Sequence, residues 1–295
     1  MDRLLTHRRW LCDDQRHFHS PRHTVNLSIS LTVLLYLAAA ALLGWRLRGD
    51  EASASDGYRG PALGIGIAAV LAHGWLLWLN LWQAQGLNLN LGHALSLFSW
   101  LSALLLCLLS LRRPVESLGL ILFPIAALGA VLGVLLPGGA GAVIEAGWTV
   151  QLHIALSVLA YGVLTLAAVQ ALVLAVQDRQ LHRHRTGHWL RVLPPLQTME
   201  QMLFELTAVG FFLLSLALLS GLVFVENLLA QHLVHKTFFS TLAWLFYGLL
   251  LWGHWRFGWR GRSATRGTLI GYVTLLLAYF GSKFVLEQLL GIHWA

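Results

Sequence analysis

The sequence is poor in charged residues and in cysteine, and each shortage excludes a class of protein. Only 11% of its 295 residues are charged whereas 57% are hydrophobic, and its mean hydropathy is +0.67. Because soluble domains carry about 25% charged residues, this composition excludes a soluble protein and indicates a membrane protein. The two cysteines, Cys12 and Cys107, belong to no CxxC or CxxCH pattern. A disulfide framework, a zinc ribbon and a self-attached c-type haem are therefore not expected.

Motifs of common enzyme classes are also missing. No H-E-x-x-H pair supplies zinc ligands, and no glycine-rich loop follows a strand to hold a phosphate. We therefore predict no catalytic residues and expect that the protein is not an enzyme. The pI near 10.0 does not indicate nucleic-acid binding, because the basic residues lie in short gaps between apolar runs. That distribution is typical of loops that face anionic lipid headgroups.

The sequence is rich in long apolar segments, eight of which are long enough to cross about 30 Å of hydrocarbon. They cover residues 25–45, 61–82, 92–111, 115–136, 149–177, 201–225, 236–255 and 269–290. The fifth is long for one crossing, so we expect its helix to continue into water. We predict an all-α, polytopic bundle of about eight transmembrane helices, which forms one membrane domain over residues 25–295.

The distribution of arginine predicts the orientation of this bundle. If the N-terminus lies outside, the arginine-rich gaps after the first, third, fifth and seventh segments all face the cytoplasm, as the positive-inside rule requires. The basic head, residues 1–24, is the exception, because it then lies outside. It lacks the apolar run of a signal peptide. We interpret the head as disordered. Alternatively, natural translation starts near Val25 and the head is an artefact of an assigned start codon that lies too far upstream.

Histidines within or beside the apolar segments are the candidate functional residues. His73 lies deep in the second segment and His254 at the inner end of the seventh; His153 and His293 lie at the outer ends of the fifth and eighth, and His235 precedes the seventh. Ionisable residues in a bilayer usually face the bundle interior or a watery cavity. Structural roles remain open for each, such as an imidazole hydrogen-bonded between helices or a side chain that snorkels to water.

His153 and His293 together indicate a cofactor. Two imidazoles at the same depth on different helices can ligate one haem iron from opposite sides, in an apolar and aromatic slot. A helix bundle brings such ligands together because it fixes both of them. We therefore expect haem b, bound without a covalent link to the protein.

Two other groups of residues are interpreted as structural. Glu200 and Glu205 lie at the inner end of the sixth segment, where a helix N-terminus favours negative charge, and we expect them to cap that helix start. Glycines in "GIGIAA" and "GAVLGVLLPGG" are expected to allow close packing of helices.

Several segments resemble the cytochrome c assembly (CcsA/ResC) family of haem-handling membrane proteins. The similarity covers about residues 86–295 and is strongest from His153 onward. The segments that carry it are "GLNLNLGHALSLFSW", "LHIALSVLAYG", "LPPLQTMEQMLFELTAVGFFLLSLALLSGLVF", "KTFFSTLAWLFYGLLLWGH" and "LAYFGSKFVLEQLLGIHW". The eight-segment layout and the "GWRGR" exit look most like the family's small inner-membrane branch called YpjD, which is related to HemX.

The resemblance implies roles for individual histidines. His153 and His293 would be the axial pair of a haem at the outer face, and His254 would be the intramembrane ligand near the inner face. His73 has no clear counterpart in the family. Its predicted depth differs from that of His254 by about 15 Å at 1.5 Å per residue, so we do not expect one haem to bind both.

The sequence departs from the family at one place. Members that act as synthetases carry a tryptophan-rich signature ending in Trp-Asp just before the seventh helix. The corresponding segment here, "ENLLAQHLVHK", contains neither tryptophan nor aspartate. We therefore do not expect this protein alone to attach haem to a cytochrome. His235 lies in this segment and is a candidate substitute ligand at the outer face.

These inferences predict a multi-pass protein of the bacterial cytoplasmic membrane that binds or handles haem b. Its expected partners are lipid, haem and another membrane or haem-pathway protein, with no nucleic acid. Two alternatives remain open: a non-catalytic regulator or scaffold whose histidines are structural, and a cytochrome b that transfers electrons. The direction of haem movement and the oligomeric state do not follow from the sequence.

Overall fold

A computed structural model describes residues 20–48, 57–83, 86–88, 90–136, 143–144, 147–183, 193–224 and 231–281. Side chains at several of the segment ends, including those of 231–235, lie outside that description. The described elements are α1 (Ser20–Arg48), α2 (Arg59–Leu81), β1 (Trp82–Gln83), β2 (Gly86–Asn88), α3 (Leu91–Ser110), a 3₁₀ turn (Glu116–Leu118), α4 (Gly119–Leu135), β3 (Val143–Ile144), α5 (Trp148–His182), α6 (Leu196–Phe224), α7 (Gln231–Phe257), α8 (Arg262–Leu276) and a π-helical turn (Leu277–Gly281).

The predicted all-α membrane class is confirmed. Six of the described helices, α1 to α6, are long and apolar enough to cross a membrane. A further long helix, α7, has 27 residues, and the last predicted segment is described only as far as Gly281. The total of eight spans and the outside position of the N-terminus therefore stay predictions.

Two predicted boundaries can be compared with the helices. The first helix begins at Ser20, inside the segment that was predicted as a head, while residues 1–19 lie outside the described residues. The fifth helix runs for 35 residues to His182, which confirms that it extends beyond the predicted span. Hydrophobic periodicity did not predict either of these helix ends, because both lie in polar sequence.

The three short strands form one antiparallel sheet in the order β1-β2-β3, with Leu87 opposite both Trp82 and Ile144. This sheet links the α2–α3 connection to the α4–α5 connection. It therefore lies at the end of the bundle where α3 and α5 begin. The sequence did not predict it, because strands of two or three residues are too short to show an alternating pattern.

Small residues allow α3 and α4 to pack closely, as the glycine pattern predicted. Gly129 and Gly133 lie four residues apart on α4 and face α3. A Cβ added at Gly129 would collide with Ser99 Oγ, and one at Gly133 would lie 2.9 Å from Ser96 Cβ. This small-xxx-small spacing is the usual way in which membrane helices bring their backbones together.

A buried ionic cluster joins the ends of α1 and α2 to the 3₁₀ turn. Arg46 Nη1 lies 2.7 Å from Glu116 Oε1, and Arg59 Nε lies 3.3 Å from the same oxygen. The Glu116 side chain is only 7% exposed, so its charge requires these partners. The cluster fixes the register of three elements at the arginine-rich end of the bundle.

The two glutamates of α6 have partners outside their own helix. Glu200 Oε1 accepts a hydrogen bond of 2.6 Å from the backbone N–H of Gly261, the residue that precedes α8. Glu205 forms an ion pair with Arg113 in the α3–α4 connection. Glu200 is thus a capping residue, but it caps the start of α8 and not, as expected, the start of α6.

Candidate functional site

His153 lies in the second turn of α5 and contacts α6. Its Nδ1 atom lies 3.0 Å from Ser220 Oγ. The Ser220 hydroxyl donates to the carbonyl oxygen of Ala217 at 2.8 Å, and a hydroxyl has only one hydrogen to donate. Ser220 Oγ must therefore accept the second hydrogen bond from His153 Nδ1–H. In the neutral imidazole this leaves the lone pair on Nε2.

This tautomer is suited to metal ligation. A histidine that binds a metal through Nε2 usually donates its other N–H to a protein oxygen, and that bond sets the ring's orientation. Ser220 provides such an oxygen to His153. The half-buried ring is therefore oriented by the protein itself before any ligand is bound.

A glycine of α6 makes room for the imidazole. A Cβ added at Gly221 would lie 3.1 Å from His153 Cε1 and 3.5 Å from Nδ1, so an alanine there would press on the ring. Ser220 and Gly221 together provide a hydrogen-bond acceptor and a flat surface at adjacent positions. Neither residue was predicted from the sequence.

His153 also lines a cavity of about 550 Å³ between α5, α6 and α7. That volume lies within the range of about 300–1,000 Å³ that is usual for sites of small ligands and cofactors. Leu218 and Leu222 of α6 and Trp244 of α7 provide apolar walls. Trp244 is held in place because its indole N–H donates to Ser215 Oγ at 2.8 Å. The cavity can thus hold an apolar, ring-shaped ligand beside an imidazole.

His254 lies in the last turn of α7, and its ring is fixed on two sides. The ring stacks on Phe204 of α6, with 3.5 Å between the ring centroids and 18° between the ring planes. Its Nδ1 lies 2.8 Å from the carbonyl oxygen of Trp259. A carbonyl only accepts, so Nδ1 carries the hydrogen and the neutral ring again has its lone pair on Nε2. His254 is therefore held by Phe204 and by the following loop, and does not simply extend to water.

The loop after α7 is shaped so that the carbonyl oxygen of Trp259 reaches the ring of His254. Gly258 and Gly261 have φ angles of 67° and 57°, which residues with a Cβ rarely adopt. Trp259 packs against Gly253 so closely that a Cβ there would collide with the indole ring. The glycines of "GHWRFGWRG" thus return the chain to the ring of His254.

His73 is buried between α1, α2 and α3, and both of its ring nitrogens have partners. Nδ1 lies 3.3 Å from the Tyr36 hydroxyl, and Nε2 lies 2.9 Å from Ser96 Oγ. Neither nitrogen is left for a metal unless one of these bonds breaks. The arrangement matches the structural alternative, an imidazole hydrogen-bonded between neighbouring helices.

Two predicted ligands cannot be compared with the geometry. His293 lies outside the described residues. His235 lies on the backbone of α7, directly before Lys236, but its side chain lies outside the description. Whether His153 and His293 approach one another therefore stays a prediction.

His153 and His254 belong to separate places in the bundle. His153 bonds to Ser220 near the end of α6, whereas His254 stacks on Phe204 near its start. These two positions on α6 are about 24 Å apart at 1.5 Å per residue. One haem iron cannot be ligated by both. Among the described residues, moreover, no three His, Cys, Asp or Glu side chains come together as a metal-ion site.

Comparison with known proteins identifies relatives of this chain. Residues 64–290 match the family described as Cytochrome C assembly protein. The inner membrane protein YpjD of Escherichia coli strain K12 is 33% identical over 238 residues, which are 80% of this chain and 90% of that protein. An uncharacterized 28.8 kDa protein of Azospirillum brasilense is 32% identical over 276 residues, which are 90% of this chain and 99% of that protein.

A more distant similarity links the chain to HemX of Brevibacillus brevis, which is 23% identical over 131 residues, or 44% of this chain and 48% of that protein. No solved structure matches the chain. The predicted resemblance is confirmed, and the match begins earlier than the predicted residue 86. The apolar helices and the relatives together make this a multi-pass inner-membrane protein, and the chain belongs to the cytochrome c assembly protein family.

Proposed function

We propose that this protein binds haem b non-covalently in the cavity beside His153 and handles haem in the membrane without attaching it to a cytochrome. One observation carries the proposal: His153 Nδ1 lies 3.0 Å from Ser220 Oγ, whose own hydrogen goes to Ala217, so that in the neutral ring Nε2 is left as the acceptor in the wall of a 550 Å³ cavity. Membership of the cytochrome c assembly family supports a haem-related role.

The residues around this cavity fit such a group. Imidazole is an established axial ligand of haem iron. Leu218, Leu222 and Trp244 offer aliphatic and aromatic contacts to a flat macrocycle. When bound, haem would supply a redox-active iron centre.

The chain's own residues have distinct tasks in this proposal. His153 would hold the iron, and Ser220 would keep the imidazole in the required tautomer and orientation. The apolar walls would exclude water and oxidants. His293 is the proposed second axial ligand, and His235 is its substitute.

His254 is the proposed ligand of a separate haem near the arginine-rich end. Its Nδ1–H is bonded to the Trp259 carbonyl, so in the neutral ring its Nε2 is an acceptor like that of His153. The distance along α6 rules out a shared iron. His73, whose two nitrogens already have partners, is the weakest of the proposed ligands.

The absorption spectrum of the purified protein tests the proposal. Expression with excess haem precursor should yield protein with a Soret band, and the His153→Ala variant should lose most of it. The matched control is His182→Ala, at the far end of the same helix, where the side chain is 76% exposed and contacts Asp178. The control should keep the wild-type spectrum.

The other outcomes point to the alternatives. Protein that stays colourless in excess haem would reject the proposal and favour a scaffold with structural histidines. Stoichiometric haem that quinol reduces rapidly would favour an electron-transfer cytochrome b. A Soret band that survives His153→Ala and falls in His254→Ala would move the haem to the other end of the bundle.

A further inference from the structure

We propose that the connection between α7 and α8, residues 256–266, binds the phosphodiester of an acidic phospholipid. We call these residues the basic turn. The inference is independent of the proposed haem sites, because it rests on the charge, the exposure and the fixed backbone of this one connection. It goes beyond the general preference of basic loops for one side of a membrane, since it assigns a bound headgroup to particular arginines.

The basic turn carries positive charge and no carboxylate of its own. It contains four arginines, which are Arg256, Arg260, Arg262 and Arg266. The sequence has no aspartate or glutamate anywhere from residue 227 to residue 286. All four arginines are exposed, and none of them forms a salt bridge within the described part of the chain. Their guanidinium groups are therefore available to an anion from outside the protein.

Arginines in other connections of the bundle have carboxylate partners. Arg46 and Arg59 share the carboxylate of Glu116, and Arg113 pairs with Glu205. The protein thus compensates these three charges internally, whereas it leaves the charges of the basic turn uncompensated. Orientation in the membrane requires only that basic residues lie on one side, so it does not explain this difference.

The backbone of the basic turn is fixed, so that its arginines are presented from a defined shape. The N–H of Gly258 donates to the carbonyl oxygen of His254 at 3.0 Å. The N–H of Gly261 donates to Glu200 Oε1 at 2.6 Å, which ties the turn to the start of α6. Glu200 does bring a negative charge to the turn, but one carboxylate offsets the charge of only one arginine.

Aromatic residues beside these arginines suit the boundary between headgroups and acyl chains, where tryptophan is enriched. Trp255 is 84% exposed. Phe257 packs with Trp252 and Trp259, at centroid distances of 5.3 Å and 6.4 Å. The Arg256 guanidinium lies 5.8 Å from the Phe257 centroid. Because α7 has 27 residues, it is about 40 Å long and exceeds the hydrocarbon thickness of about 30 Å, so its aromatic and basic last turn reaches the headgroups.

A phosphodiester without a neighbouring cation is the ligand that fits this surface. Guanidinium groups bind phosphate oxygens through paired hydrogen bonds, and basic sites at helix ends bind acidic headgroups. Arg262 and Arg266 are four residues apart on α8, a spacing that places both on one helix face. Phosphatidylglycerol offers a phosphate with a net negative charge, whereas the ammonium of phosphatidylethanolamine would be repelled by the remaining arginines.

Native mass spectrometry of the purified chain in neutral detergent tests the proposal. Phosphatidylglycerol and phosphatidylethanolamine are titrated separately, and the affinity for the first bound lipid is compared. We expect the wild type to bind phosphatidylglycerol roughly 10- to 100-fold more tightly. The double variant Arg260→Gln with Arg262→Gln should lose most of this preference, because two of the four guanidinium groups are gone.

The matched control is the double variant Arg112→Gln with Arg113→Gln. It removes the same charge from exposed positions in the α3–α4 connection, which contacts the start of α6 as the basic turn does. It should keep the wild-type preference. The proposal is overturned by a wild type without preference, by an unchanged preference in the first variant, or by equal losses in both variants, which would mean that lipid follows total charge.

Two further measurements keep the test decisive. If the first double variant does not fold, the single variants Arg262→Gln and Arg266→Gln replace it; each should bind phosphatidylglycerol about fivefold more weakly, and wild-type affinity in both overturns the proposal. Inorganic phosphate distinguishes a lipid site from a site for any phosphate. In excess, it should leave most phosphatidylglycerol bound, and full displacement by phosphate but not by chloride of equal ionic strength would reject a lipid site.

Discussion

Replacement of Ser220 by alanine tests the argument about the tautomer of His153. The substitution removes the oxygen that lies 3.0 Å from His153 Nδ1 and leaves the helix and the neighbouring Gly221 in place. The imidazole keeps its position in the cavity wall but loses the acceptor that holds the proton on Nδ1. The variant therefore separates the presence of the ligand from its orientation.

The expected size of the effect follows from the contact. A neutral hydrogen bond contributes about 1 kcal/mol, and loss of a group that orients a metal-bound imidazole typically lowers metal affinity about 10- to 100-fold. We expect Ser220→Ala to bind haem about tenfold more weakly, which corresponds to about 1.4 kcal/mol. The Soret maximum should not move, because His153 is still the ligand.

The assay is a haem titration of purified protein followed at the Soret maximum. Thr207→Ala is the matched control, since Thr207 is a hydroxyl residue of the same helix that bonds to the carbonyl oxygen of Leu203 and does not line the cavity. It should leave the affinity near that of the wild type. Wild-type affinity in Ser220→Ala, or an equal loss in both variants, would refute the reasoning.

Three further predictions concern the scaffold. His73→Leu should leave the hydroxyls of Tyr36 and Ser96 buried without their partner and lower the free energy of unfolding by about 2 kcal/mol, which thermal unfolding measures. The absorption spectrum of the haem should be unchanged. Loss of a Soret band in this variant would instead identify His73 as a ligand. Gly129→Val should force α3 and α4 apart and lower the free energy of unfolding by about 1–3 kcal/mol. The control is Gly64→Val, where an added Cβ meets nothing within 4 Å, and this variant should unfold at the same temperature as the wild type. Glu200→Ala should remove the cap of α8, cost about 1 kcal/mol and speed amide exchange in its first turn. The more exposed ion pair of Glu205 should matter less, so an equal effect of Glu205→Ala would contradict the capping argument.

Much of the fold could be predicted because lipid allows few solutions. A chain with so few charges must satisfy its backbone in helices, and long apolar runs then show where the helices lie. The close approach of α3 and α4 was also predictable, because Gly129 and Gly133 are spaced by four. The small sheet was not, since Trp82–Gln83 and its partners are paired through backbone atoms and not through a side-chain pattern.

The site was only partly predictable. The sequence identifies His153 and His254 as candidate functional residues, because an imidazole is rare beside apolar segments. Ser220 and Gly221 do not, because serine and glycine are frequent wherever membrane helices touch. The cavity beside His153 was not predicted, because it depends on how α7 packs against α6. No spacing along the chain contains that information.

The described candidate histidines differ in how many of their ring nitrogens already have a hydrogen-bond partner. His73 has a partner on both nitrogens and joins three helices. His153 and His254 each use Nδ1 to contact a protein oxygen, and each leaves Nε2 as the acceptor in the neutral ring. His73 lies deep in its apolar segment, yet its hydrogen-bond pattern makes it the least suitable ligand of the three. Since a metal ligand requires a lone pair and not burial, the hydrogen-bond pattern is the better guide, and it favours the proposed haem sites at the ends of the bundle over one in its middle.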